Sequence, residues 1–251
     1  MATALITGAS GGMGRDMAII LAEKGYNLIL AARNEGKLKA LAEKLNTNVQ
    51  IIPMDLSIRK NCYKLHGLAK NVDILINNAG YGDWGEFYYT SLHKELNMID
   101  LNISALHILT KLYLRDFVKR NRGYILNVSS LAAFGSGPLM ATYYATKAYV
   151  YKLTTAINEE LRARRSKVKI SVFCPGPVDT GFNDRAGVSF SVKPLNSMEA
   201  SRIAIKGMFN KKMVIIPTFY EKITAIVSGF VPLRLVLMIC YRIQHSKNGV
   251  I

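Results

Sequence analysis

Tyr143 and Lys147 stand four residues apart in ATYYATKAYV, a spacing that puts both side chains on one face of a helix. A lone tyrosine is a poor base near neutrality, because its hydroxyl ionises at about 10. A neighbouring ammonium favours the phenolate and moves the group toward a working range. The pair therefore suits general acid–base work on an oxygen: donating a proton to a developing alkoxide, or taking one from an alcohol. Tyr144 adjoins, but only Tyr143 has the four-residue spacing to Lys147.

A second constellation lies at the other end of the chain. The apolar run ATALI leads directly into TGASGGMG, with Gly8, Gly12 and Gly14, and then into a helical pattern. Glycines at such a junction let the backbone turn tightly and approach a diphosphate that side chains would block. The helix dipole and its unpaired N–H groups then bind the phosphates. The second apolar run ends at Ala31-Ala32-Arg33, without the carboxylate that reads an unmodified ribose in NAD sites. A guanidinium at Arg33 suits a 2′-phosphate instead, which points to NADP(H).

These groups need a scaffold, and the pattern supplies one. Apolar runs at Ala2–Thr7, Asn27–Ala32, Val49–Pro53, Ile74–Asn77, Gly123–Val128, Val168–Cys174 and Met213–Ile216 are continuous rather than alternating, as in parallel strands covered on both faces. Amphipathic patterns fill the gaps at Met13–Lys24, Glu35–Leu45, Ile58–Lys70, Leu92–Arg120, Thr142–Arg165 and Met198–Phe209. This alternation predicts an α/β fold with a doubly wound, mostly parallel seven-stranded sheet and helices on both faces. No linker divides the 251 residues, so a single domain is expected, with a lid over 180–196 and an apolar C-terminal helical segment over 217–245.

The chain carries 33 basic and 17 acidic residues, a net charge of +16, which favours anionic partners. The basic residues form no arm, and neither zinc-finger spacing nor a basic–aromatic RNA motif occurs, so nucleic acid is not an expected partner. The cysteines Cys62, Cys174 and Cys240 are far apart, and the four histidines share no ligand spacing, so neither disulfides nor a metal site are expected. The chain opens straight into its first strand with no leader pattern, which suggests a cytoplasmic protein. One stretch, Ile223–Tyr241, is largely apolar but interrupted by Pro232 and Arg234. It reads as a helix pair packed on the protein or a partner subunit, as an interfacial membrane contact, or as a span.

Together these motifs resemble the short-chain dehydrogenase/reductase family along nearly the whole chain. The family's glycine motif is matched by Thr7, Gly8, Gly12 and Gly14, and its NNAG motif by Asn77, Asn78, Ala79 and Gly80. Asp55 matches its adenine-contacting aspartate, Asn102 its helix asparagine, Ser130 its catalytic serine, and Pro175, Gly176 and Thr180 its PG turn. The resemblance implies a cofactor site of Gly8, Ser10, Gly12, Met13, Gly14, Arg33, Asp55, Leu56, Asn78, Ala79, Gly80, Tyr143, Lys147, Pro175, Gly176, Val178 and Thr180. It also implies a catalytic set of Ser130, Tyr143, Lys147 and Asn102. In that set Ser130 orients the carbonyl, Lys147 holds the nicotinamide ribose, and Asn102 holds a water that relays protons. Ser130 is preferred to Ser129 on its distance from the tyrosine.

Substrate contacts are expected from Gly80–Phe87, Leu131–Thr142 and Thr180–Leu195, which supply aromatic and aliphatic side chains and few charges. Arg185 and Lys193 there are either solvated or meet an anionic tail. A lipophilic ketone/alcohol pair follows, with a hydroxysteroid or bile acid as the leading substrate and a 3-oxoacyl thioester as the alternative. A non-enzymatic NADP(H)-binding redox sensor is a further reading, disfavoured by the intact Ser130, Tyr143 and Lys147. Pairing through Leu92–Arg120 and Thr142–Arg165, the helices this family uses, predicts a homodimer or homotetramer.

Overall fold

The computed structural model describes residues 1–181, 194–227 and 231–245. Strands β1 (Thr3–Thr7), β2 (Asn27–Ala32), β3 (Val49–Pro53), β4 (Ile74–Asn77), β5 (Tyr124–Val128) and β6 (Lys169–Phe173) join a short last strand, β9 (Val214–Ile215). They form one seven-stranded, all-parallel sheet in the order β3-β2-β1-β4-β5-β6-β9. A separate two-stranded ribbon pairs β7 (Val178–Asp179) with β8 (Leu195–Asn196), at the two ends of the expected lid. The lid itself lies mostly outside the described residues.

Alternation along the strands divides the core between the two faces of the sheet. Ala4, Ile6, Leu28, Leu30, Ile74 and Ile76 pack beneath α1 (Gly12–Glu23), α2 (Glu35–Ala42) and α7 (Ser197–Phe209). Their neighbours Leu5, Ile29, Leu75 and Ile125 face α3 (Arg59–Leu68), α5 (Leu106–Arg120) and α6 (Ala141–Ala163). Strands buried on both faces explain why the sequence shows unbroken apolar runs.

The long helix expected over Leu92–Arg120 is divided. It runs as α4 (Leu92–Ile99), then a wider π turn at Asp100–Ala105, then α5. The cause is local. Asn102, only 1% exposed, turns inward, accepts from the Tyr81 N–H at 3.1 Å and donates to the Tyr81 carbonyl at 2.9 Å. A side chain that grips the neighbouring loop in this way interrupts the regular ladder, and such π turns cluster at functional sites.

The C-terminal apolar stretch is a helix pair, α8 (Phe219–Val227) and α9 (Leu233–His245). No helix among the described residues is long and apolar enough to cross a membrane.

Candidate active site

β1 and β4 are neighbours at the centre of the sheet, where the strand order turns, and their carboxyl ends open a crevice. Thr7 and Asn78 clamp its floor. The Thr7 hydroxyl donates to the Ile76 carbonyl and accepts from the backbone N–H of Asn78 at 3.0 Å and Ala79 at 3.1 Å. In return the Asn78 amide donates to the Thr7 and Gly8 carbonyls. Gly8 has φ of +67°, and a Cβ there would stand 2.9 Å from the Ala79 Cα; at Gly14 it would collide with the Gly8 carbonyl. Side chains α2, α4 and α7 receive at their first turns from Asn34, Ser91 and Asn196 are missing from α1: its cap is Gly11, no side chain accepts there, and its first turn holds no acid. A glycine-lined cradle ending on uncapped amide donors fits a dinucleotide diphosphate.

Farther along the crevice, Arg33 leaves the end of β2 exposed and lines the wall together with Lys37 and Arg15. Arg15 is steadied by the buried Asp16 carboxylate at 2.8 Å. Three cations thus border one end of the cleft, of which sequence reasoning had named only Arg33. Asp55 and Leu56 also line it, and the Asp55 carboxylate accepts from the Ser57 N–H at 2.9 Å and its hydroxyl at 2.7 Å. Ser10, Gly12, Met13, Ala79, Gly80, Pro175, Gly176, Val178 and Thr180 share the same cleft. Gly14 lies behind it, packed against Gly8 and Asn78.

The sheet brings Ser130, Tyr143 and Lys147 together in that cleft. Tyr143 and Lys147 share the buried face of α6, and the Lys147 Nζ sits 5.7 Å from the centroid of the tyrosine ring. Lys147 donates to the Val128 carbonyl at 3.1 Å. Burial pushes it down to about 8, since desolvation penalises the ammonium. The expected depression of Tyr143 is absent: burial pushes its hydroxyl up to about 12, against the opposing pull of its hydrogen bond with Ser130. The two serines diverge in the fold. Ser130 meets Tyr143, whereas Ser129 is buried and donates to the Lys147 carbonyl at 2.7 Å, fixing the helix. Asn102 stands behind them, donating also to Thr146 at 3.1 Å.

The remaining wall comes from α8 and α9. Thr218 and Glu221 form a capping box at the start of α8: the Glu221 carboxylate accepts from the Thr218 N–H at 3.0 Å, and the Thr218 hydroxyl accepts from the Glu221 N–H at 3.2 Å. The second Glu221 oxygen accepts from the Gly176 N–H at 2.9 Å, tying α8 to the PG turn. Any side chain at position 176 would strike that carboxylate. On α9, the Gln244 amide donates to the Tyr144 hydroxyl at 2.7 Å, and the Gln244 carbonyl accepts from the Trp84 indole at 3.1 Å. So Tyr144 holds the roof while Tyr143 faces Ser130. Glu221 and Gln244 were not anticipated from sequence; only the Thr218-x-x-Glu221 spacing carried a signal. The cleft, about 1590 Å³, runs from the glycine cradle to Val236, Ile239 and Ile243.

The short chain dehydrogenase family model matches residues 2–188. An uncharacterized oxidoreductase of Staphylococcus epidermidis is 31% identical over 209 residues, covering 80% of this chain and 86% of the relative. A 3-oxoacyl-[acyl-carrier-protein] reductase of Rickettsia typhi is 31% identical over 183 residues, covering 73% of this chain and 75% of that one. Among solved structures, a short-chain dehydrogenase from Sphingobium yanoikuyae in complex with NADPH matches with a TM-score of 0.82 at 28% identity, over 92% of this chain and 95% of the other. Sequence and sheet order thus converge, and the chain belongs to the short-chain dehydrogenase/reductase family of oxidoreductases, which use a nicotinamide cofactor.

Proposed function

We propose that the protein is an NADP(H)-dependent oxidoreductase that interconverts a ketone and a secondary alcohol on a lipophilic substrate, with a hydroxysteroid or bile acid as the leading class. The observation that carries this reading is the meeting of Ser130, Tyr143 and Lys147 in a cleft whose far wall is apolar. Arg33, with Arg15 and Lys37 beside it, favours a cofactor bearing a 2′-phosphate.

The bound nicotinamide supplies or accepts the hydride. Around it, Ser130 donates to the carbonyl oxygen and fixes its position, as an oriented donor should. Tyr143, held as the neutral phenol, is poised to give its proton to the developing alkoxide. Lys147 steadies the phenolate so formed and holds the ribose hydroxyls. Asn102 has one Oδ1 lone pair beyond the Tyr81 N–H, enough to hold a water that links Lys147 to solvent. Asp55 would receive the adenine amino group, and Asn78, Ala79, Gly80, Val178 and Thr180, which line the same cleft, would flank the cofactor. The chain works as one domain and pairs through the Leu92–Arg120 and Thr142–Arg165 stretches into a dimer or tetramer in the cytoplasm.

A second reading, reduction of a 3-oxoacyl thioester, is favoured by the Rickettsia typhi relative. NADPH oxidation measured against steroid ketones, oxo bile acids and 3-oxoacyl thioesters separates them. Turnover of a cyclic ketone supports the first, turnover of thioesters alone the second, and no NADPH-dependent turnover of any contradicts both.

A further inference from the structure

The two C-terminal helices are apolar on more than the side that walls the cleft. Phe219 and Tyr220 are each 76% exposed, and Ile226, Leu233, Leu235 and Met238 also stand largely in solvent. The long helices α5 and α6, by contrast, expose only Val118 and Tyr149 among their large apolar side chains. An apolar surface this concentrated calls for a cover. The patch also extends sideways, because Tyr241 of α9 lies close enough to Tyr88 to act on its hydroxyl, and Phe87, Tyr88 and Tyr89 are all exposed.

Charge identifies the cover. Glu221 is the sole acidic residue of α8 and α9, and it is buried against Gly176 and Thr218. The exposed charges of the pair, Lys222, Arg234 and Arg242, are all cationic. A second copy meeting this face across a twofold axis would set those cations against one another, and the carboxylate beside the patch, Glu86, is already engaged by the Tyr88 hydroxyl. A bilayer with anionic headgroups satisfies both features at once, taking the apolar side chains into its acyl boundary and the cations at its surface. Length fixes the pose. The 13 residues of α9 extend about 20 Å at the helical rise, short of the roughly 30 Å of a hydrocarbon core. The pair must lie in the interface.

We infer that α8 and α9 seat the protein on an anionic membrane surface, with the mouth of the cleft turned toward the lipid. Ile223, Ile239 and Ile243 line the cleft and are also exposed at its rim, so the inner wall runs continuously into the docking face. A lipophilic ketone passes from acyl chains to the Tyr143 site without crossing water; this delivery step rests on the function proposed above, whereas the docking does not.

The test is sedimentation of the full chain with phosphatidylcholine vesicles, with and without a third of phosphatidylglycerol. Binding should need the anionic lipid and weaken as salt is raised. Arg234→Gln should weaken it about fivefold, the value of one cation near such a surface. Ile226→Asp with Met238→Asp should abolish it, while reduction of a small water-soluble ketone stays at the wild-type rate. If that double variant does not fold, Arg234→Gln and the salt titration of the wild type still decide. Equal sedimentation with both vesicles, none with either, or a detergent-free dimer dispersed by Ile226→Asp would overturn the inference. Because the readout needs no turnover, a failed docking and a failed substrate assignment are told apart.

Discussion

The two halves of the cleft are built from different materials. At the cofactor end, two short side chains bolt backbone to backbone: the Thr7 hydroxyl and the Asn78 amide lock the ends of β1 and β4 through hydrogen bonds to main-chain groups about seventy positions apart, and glycines set the spacing. At the substrate end, a pair of short helices hangs from a few side-chain bonds, Glu221 to Gly176, Gln244 to Tyr144 and Trp84 to Gln244. Chemistry sits on the rigid half, and substrate fit is left to the half that depends on few contacts. Changes in the first half should therefore cost activity on every substrate, and changes in the second should alter which substrates are accepted.

Lys147→Met should give the largest loss, because one side chain serves both the tyrosine and the ribose: kcat falls by about 10²–10⁴-fold and the NADPH dissociation constant rises, read by stopped-flow and titration. Its ionisation gives a linked signature. In the cofactor-free enzyme Lys147 is pushed down to about 8, so it is charged below that pH and neutral above it. kcat/KM for NADPH, which reports the free enzyme, should then fall as pH rises through about 8, and this step should vanish in Lys147→Met. Arg33→Asp should come next, lowering the NADPH/NADH ratio of kcat/KM by roughly 10- to 150-fold, as expected for a lost charge-assisted bond. A ratio near one in the wild type would contradict the 2′-phosphate assignment. Tyr144→Phe should be smallest, leaving kcat near its wild-type value and costing stability about 0.5–1.5 kcal/mol for one hydrogen bond. Its mark should be a raised KM for bulky ketones alone, since only the hold on Gln244 is lost.

How much of this was legible in the sequence follows the same division. The parallel sheet was readable because strands buried on both faces must be continuously apolar. The cradle was readable because few residues but glycine fit positive φ or a carbonyl in contact. Ser130 and Ser129 look alike in NVSS, and only folding shows one meeting Tyr143 and the other spent on the Lys147 carbonyl. The split of Leu92–Arg120 was hidden because its apolar period runs on unbroken while Asn102 reaches out to Tyr81. Spacing put a cation near Tyr143 but said nothing of burial, which dominates its hydroxyl. Gln244 and Tyr144 meet across a hundred residues, with no periodic signal to join them.

The central claim is that Tyr143 carries the proton for hydride transfer, and its most direct test is the single-turnover rate of NADPH oxidation on an accepted ketone in Tyr143→Phe. The substitution removes only a hydroxyl, so NADPH affinity and the folded state should survive while the rate falls by about 10²–10⁴-fold. Wild-type hydride transfer in Tyr143→Phe, with the loss appearing in Tyr144→Phe instead, would contradict the account.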